Sequence, residues 1–543
     1  MRILPLFVAL TLFSSCNNRS STQEALAVES VGLQESMLPD SAEALHLSGK
    51  ALAQAYCNGC HALPDPGLLD KSTWKKNVLP QMGLRLGRST GNLNPLLGKS
   101  TEEIYELLQA GIFPQEPYIT EENWQKLEEY YVRNAPDKLA MPETAAVKTD
   151  LKDFTVVVPA LNKGKSAVTT MVKFLPASNE LWVGDLRNWV FRLNPQLQAV
   201  DSMVVDTPPV DILKAGGGYR VLTIGAIVPT DKGHGRLHQS PGAAAAKSVY
   251  MTPLLEGLRR PVNVVEADLD QDKLPDMIVC NYGYNLGSLV WYQNLGAGKY
   301  KPHMLKNLPG ARKAEVKDLN GDGLPDVVAM FAQGTEAVRV FYNQGAGKFK
   351  EENLLQLPPV YGMSYFDLAD FNQDSAVDII LTNGDNADYS QVLKPYHGIR
   401  IYLNDGKNRF TEKYFYPMPG ATKALARDFD QDGDLDIAAI SHFPDFAGAP
   451  ENGFIYLQQT TAMSFKAATV AQAHLGRWFT MDAGDYDQDG DEDLILGSFT
   501  NALTPAPPAL QKQWVKEGPS IVVLQNNQLH KQGREALLTS ARE

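Results

Sequence analysis

Apolar positions along the chain change their spacing near residue 150. Before it they recur every three to four residues. Leu45, Gly49, Leu52 and Tyr56 fall on one helical face, with Asp40 as a cap and Glu43 placed to reach back to it. A second helix is predicted from Ser100, with Ile104, Leu107 and Leu108 apolar. A third is predicted from Thr120, with Trp124, Leu127 and Tyr131 on one face and Pro136 beyond its end. After residue 150 the apolar positions come as short runs, such as Val327-Val328-Ala329-Met330, Ile379-Ile380-Leu381 and Leu494-Ile495-Leu496. Second runs follow them, such as Val338-Arg339-Val340-Phe341-Tyr342 and Ile399-Arg400-Ile401-Tyr402, and then Gly-rich turns. These are strand and hairpin signals.

A polar loop with one pattern precedes five of these runs. Asp268, Asp270 and Asp272 are followed by Asp276; Asp318, Asn320 and Asp322 by Asp326; Asp370, Asn372 and Asp374 by Asp378; Asp428, Asp430 and Asp432 by Asp436; and Asp485, Asp487 and Asp489 by Asp493. The starts lie 50, 52, 58 and 57 residues apart, a period of propeller blades or solenoid units. Oxygens at positions one, three and five can converge on a hard cation such as calcium, and glycine at position six (Gly323, Gly433, Gly490) allows the sharp turn. The last ligand is Asp at position nine, where an EF-hand has Glu at twelve, and strands rather than helices follow. Lys273 and Ser375 replace the glycine in two loops, and the Lys273 charge is expected to leave the first site weak or empty. A solvated acidic turn accounts for any one loop, but not for five in phase.

Over residues 255–530 this arrangement resembles the FG-GAP or VCBS repeat of integrin-like β-propellers, which implies an all-β, calcium-binding domain. Earlier blades are degenerate. Leu181–Asp185 with Trp189–Leu193 reads as one hairpin, and Val221–Gly225 with Ser248–Tyr250 as another, for about seven blades over residues 150–543. Ile521–Leu524 is expected to pair with Phe154–Val158 and close the ring.

The first half-domain carries Cys57-Asn58-Gly59-Cys60-His61, the c-type haem attachment spacing: two thiols to bond the haem vinyl groups and an imidazole to bind the iron. A zinc site needs a second ligand pair nearby, and a thioredoxin-like motif does not need the histidine. With its three short helices, the region 41–145 resembles a small all-α class I cytochrome c, whose first and last helices cross. Met82, on a loop between Pro80 and Gly83, is the expected sixth iron ligand; Met37 and Met141 are the rivals. Trp74 is expected to pack near the haem.

The chain opens Met1-Arg2, runs apolar from Ile3 to Phe13, and continues Ser14-Ser15-Cys16. This reads as a signal peptide over 1–15, too short to span a bilayer. Phe13-Ser14-Ser15-Cys16 resembles a bacterial lipobox with Phe in place of Leu, implying lipidation at Cys16 and a tether over 16–40; ordinary secretion is the alternative. Of the four cysteines, Cys280 remains as a buried small hydrophobe in a strand.

Length and composition add limits. At 543 residues the chain needs at least two domains, and 44% hydrophobic with 21% charged residues is a soluble globular balance. A net charge of -13 argues against nucleic acid as a partner. A polar stretch around Asn383–Tyr389, Lys394, Tyr396, His397 and Arg400, with Arg187 and His442, suggests a funnel for a polyol or an anion, although ordinary loop polarity reads as well. The expected function is electron transfer by an exported haem protein of the cell envelope, lipid-anchored on the periplasmic face of the outer membrane or the cell surface. Its partner would be a redox protein or mediator, and its propeller a docking or ligand-binding module. The alternative is a quinone-type dehydrogenase that oxidises a sugar or alcohol and passes electrons to the haem.

Overall fold

The computed structural model describes residues 44–88, 93–142, 147–161, 164–240, 251–385, 390–501, 504 and 506–528. The readings for residues 1–43, for Ser248–Tyr250 and for Asn386–Tyr389 lie outside them.

Among the described residues, the segments before the strands include four α-helical ones. Helix α1, Gly49–Cys57, is capped by Ser48, whose hydroxyl accepts the Ala51 N–H at 3.3 Å. It thus starts later than its apolar spacing predicts, because Ser48 can satisfy a free N–H of the first turn and residues 45–48 form a turn instead. Segment α2 runs through Lys71–Thr73, a wide turn over Trp74–Val78 and Leu79–Arg85. The Leu79 N–H reaches back five residues to Trp74 O, and the next residue, Pro80, has no N–H to continue the regular ladder. Helix α3, Thr101–Gln109, begins with a reciprocal Ser100/Glu103 capping box, and helix α4, Glu121–Asn134, is capped by Thr120. The α1 and α4 backbones meet at Gly49, where a β-carbon would lie 2.2 Å from Lys126 O. Only glycine permits that approach. Around this crossing pack Leu52, Leu79, Leu127 and Trp74, whose ring centre lies 4.5 Å from that of Tyr131. The polar ends of both rings are satisfied by carbonyls, Trp74 Nε1 by Pro66 O and the Tyr131 hydroxyl by Pro64 O.

The rest is a seven-bladed propeller of four-stranded antiparallel sheets. Blades 1 to 6 span residues 169–204, 209–258, 261–306, 311–357, 363–417 and 421–468. Blade 7 joins Trp478–Gly484, Asp493–Ser498 and Ile521–Asn526 to Phe154–Val157 from the far end of the array, with Phe154 opposite Asn526 and Val157 opposite Val523. This is the expected closure, and it leaves no open edge between first and last blades. In blade 2 the second strand, Gly218–Thr223, pairs with Gly235–Gln239 rather than with the expected 248–250; that register brings the fully buried Leu222 opposite the fully buried Leu237.

Second strands such as Asp276–Asn281, Asp378–Asn383 and Asp493–Ser498 are buried at every position. Each lies between two neighbouring blades, so both faces are apolar and the run is continuous rather than alternating. The core is accordingly a ring of apolar clusters, one at each junction between blades. Every innermost strand also carries a bulge just after its first residue. The bulge re-aims the following side chain. Asn263, at that position, links three blades: its amide donates to Asp211 of blade 2 and its carbonyl accepts the Ala314 N–H of blade 4.

Candidate functional site

Cys57, at the last turn of α1, and Cys60 and His61, just beyond it, border a cavity of about 270 Å³ together with Met82. His61 Nδ1 lies 2.9 Å from Ala62 O, so Nδ1 carries the proton and the Nε2 lone pair is left for a metal. Burial, and then the Arg85 charge, hold the imidazole below its usual range, hence neutral at neutral pH. Burial beside Cys60 pushes the Cys57 thiol up to about 12, and burial raises Cys60 despite Arg85. Both sulfurs are therefore thiols rather than thiolates, and they are not bridged to each other. Trp74 lines the same cavity.

Met82 is reached differently from the sequence reading. It stands on helix α2 rather than on a loop: the wide turn over Trp74–Val78 lets the segment continue past Pro80, and Gly83 is carried within the helix. Met141 is exposed after α4 and is not among the cavity residues. Met37 lies outside the described residues.

The other wall of the cavity belongs to the propeller. It includes Tyr284, Pro309, Gly334, Thr335, Val360 and Asp385. They come from turns between second and third strands and from entries to innermost strands of blades 3 to 5. The repeated acidic loops join innermost to second strands, so they sit at the other ends of the same strands. Six-residue strands set the two ends roughly 20 Å apart.

All five loops share one backbone form, left-handed at positions four and six: Gln271 and Lys273, Gly321 and Gly323, Gln373 and Ser375, Gln431 and Gly433, Gln488 and Gly490. In each, the position-one carboxylate accepts the position-six N–H, from 2.8 Å at Gly323 to 3.1 Å at Gly433 and Gly490. Lys273 and Ser375 therefore adopt the glycine conformation with a side chain present. In three loops the carboxylates converge, as Asp268/Asp270/Asp272, Asp428/Asp430/Asp432 and Asp485/Asp487/Asp493, with ligand oxygens within 4.8 Å of one another. Asp268 Oδ1 and Asp487 Oδ1 are buried there without a hydrogen-bond donor. Crowded, partly unsatisfied carboxylates of this kind suit a hard cation. In the other two loops Asn320 and Asn372 donate their amides to Asp322 and Asp374, at 3.0 and 2.8 Å.

The position-nine aspartates have a further role that spacing alone did not reveal. Asp276, Asp326, Asp378, Asp436 and Asp493 have no exposed surface. One oxygen of each accepts a backbone N–H from the end of the third strand of the blade, at Asn294, Asn343, Asn404, Gln459 or Asn526. In four of them the other oxygen accepts the position-two N–H; in Asp436 it accepts the Tyr456 hydroxyl. Burial pushes Asp436 up to about 7 and Asp493 up to about 8. The asparagines were also missed, although their signal was present: Asn294, Asn343 and Asn404 each stand two residues before a glycine whose N–H their side chain accepts.

His397 and His442 are buried, and burial holds both well below the usual histidine range. Arg187 is tied to Asp185 and Ser166 O. None of the three borders the cavity. Cys280 is buried in its strand, with its thiol toward Asn263 Oδ1. Among the described residues no helix is long and apolar enough to cross a membrane.

The model of the FG-GAP-like repeat matches residues 268–329 and 318–381, which begin at the first and second acidic loops. The chain thus carries FG-GAP repeats within a seven-bladed propeller, an architecture suited to a docking or ligand-binding module. Similar solved structures include BBS1N in complex with ARL6DN, at 11% identity over 68% of this chain and 96% of that one, with a TM-score of 0.40. The Neurospora crassa Pan2 WD40 domain is also similar, at 11% identity over 70% and 97% with a TM-score of 0.40. No curated protein matches the chain.

Proposed function

We propose that the chain is an exported electron carrier of the cell envelope, anchored by lipid at Cys16, whose helical segment is a cytochrome c domain and whose propeller is a calcium-stabilised docking module. The reading is carried by one observation: Cys57, Cys60, His61 and Met82, which are up to 25 positions apart in sequence, border one cavity. The donor set fits haem c. Each protonated thiol would add across a vinyl group, its S–H giving a C–S and a C–H bond and consuming the C=C. The neutral His61 offers Nε2, and the Met82 thioether is a soft ligand that raises the potential. The bound haem would supply one-electron exchange. A redox protein or mediator is the partner this chemistry calls for. The dehydrogenase reading has no comparable support, since its candidate residues are buried or tied within their own blades.

Haem attachment is tested on the purified full chain by haem stain after denaturing electrophoresis and by the pyridine haemochrome spectrum. Covalent haem is expected in the natural chain and none after Cys57→Ala with Cys60→Ala. In Met82→Ala the potential is expected to fall and exogenous ligands to bind; an unchanged potential and spectrum would remove Met82 from the ligand set.

A further inference from the structure

The cavity bordered by the CxxCH segment is closed by the propeller, and the contact is built from specific pairs. Arg259, in the connection between blades 2 and 3, grips both oxygens of Glu106 on α3, each at 3.0 Å. Glu103, buried on the same helix, accepts the Thr230 hydroxyl at 3.0 Å and faces Lys232 at 3.6 Å. Arg85 of α2 donates to Asn285 Oδ1 at 2.7 Å. On the other side of the cavity the Tyr396 hydroxyl donates to Leu68 O at 2.9 Å. Apolar contacts complete the seam: Leu286 packs among Leu84, Leu107 and Phe113, and Val360 against the α1–α4 core. At the centre lies Gly334, in the tight turn between Gln333 and Thr335 of blade 4 at φ 76°. A β-carbon there would come 4.0 Å from His61 Cδ2. The turn backbone therefore lies beside the imidazole, and glycine leaves that space open.

We infer that blades 3 to 5 are the second half of the haem pocket: the propeller wall around Gly334, held by the Arg259–Glu106 pair, shields the haem and its axial side from water and small ligands. The inference rests on the haem reading above and goes beyond it by giving the propeller a role in the redox centre. A low-dielectric wall favours the iron state of lower charge and closes the route to an exchangeable axial position. The propeller and the helical segment are then one redox unit, and a partner meets the haem only at the mouth that both walls leave open.

The experiment uses the full chain and a charge swap. Glu106→Arg and Arg259→Glu each place like charges at the seam, and the double variant restores the pair in reverse. Haem content is measured first, by pyridine haemochrome; no covalent haem in the natural chain overturns the haem reading itself. With haem present, cyanide binding to the oxidised protein and the midpoint potential are measured. Each single variant is expected to bind cyanide at least about tenfold faster, since a lost interfacial charge pair exceeds the free energy of a tenfold change. Its potential is expected to fall, and the double variant to return toward the natural values. Unchanged cyanide rates and potential in both single variants, with small-angle scattering showing the two parts drawn apart, overturn the inference.

Discussion

Asp493 has no exposed surface, and burial pushes its carboxyl up to about 8; Asp436 reaches about 7 for the same reason. A folded pKa above the unfolded value means that the folded, cation-free protein binds more protons than the unfolded chain between about pH 4 and the folded pKa. Stability without calcium is therefore expected to fall as pH rises through that window. Calcium requires the ionised ligands, so its apparent affinity is expected to rise from pH 6 to 9 and its binding at pH 7 to release protons. Titration in weak buffer with a pH electrode checks this; no proton release at pH 7 would count against Asp436 and Asp493 as groups coupled to the cation. Ser375 sits at φ 69° where three other loops have glycine. Ser375→Gly is expected to stabilise the protein by about 1 kcal/mol, read by denaturant unfolding, because a left-handed conformation costs that much for a side-chain-bearing residue.

The acidic loop is also a joint between strands. The position-nine carboxylate ties the start of the loop to the end of the third strand, whereas Asp432, at position five, accepts the local N–H of Asp434, two residues on. Two kinds of variant should separate accordingly. Asp276→Ala leaves the buried N–H groups of Leu269 and Asn294 without an acceptor and is expected to cost about 2–4 kcal/mol with or without calcium. Asp432→Ala is expected to lower the melting temperature in calcium and to differ little from the natural chain after chelation. Equal responses of the two variants to chelator would show that the two positions do the same job. At the helical end, Gly49→Ala drives a β-carbon into Lys126 O and is expected to destabilise that segment by about 1–3 kcal/mol, as overpacking does.

Across the molecule the strands that begin or end at the cavity lead, at their other ends, into the acidic loops. On the haem and calcium reading proposed above, chelation is expected to lower the melting temperature and to speed cyanide binding, because blade 3, whose Asp268, Asp270 and Asp272 converge, carries part of the pocket wall. A haem that responds only to its own axial variants, with no change on chelation, would show two independent units.

How much of this was legible in the chain follows from the range of the forces involved. The in-phase loops, the apolar second strands, the caps at Ser100 and Thr120 and the CxxCH spacing are local patterns, and they read directly as blades, helices and a haem motif. Closure by Phe154–Val157 could be read because an unpaired edge strand needs a partner. The start of the helix that delivers Cys57 was placed too early because its apolar spacing runs on through Leu45, and only the fold shows that Ser48 caps it after the break at residues 45–48. Met82 was put on a loop because proline and glycine flank it, yet the wide turn before Pro80 lets the helix continue. The clamp made by Asp276 and its counterparts, the seam between Arg259 and Glu106, and the approach of Gly334 to His61 join residues brought together by packing, and no periodicity encodes them. The sequence alone determined which chemical groups this protein carries and how often they repeat. Only the tertiary structure decided which groups face each other, since that depends on how the blades close and where the helical segment rests upon them.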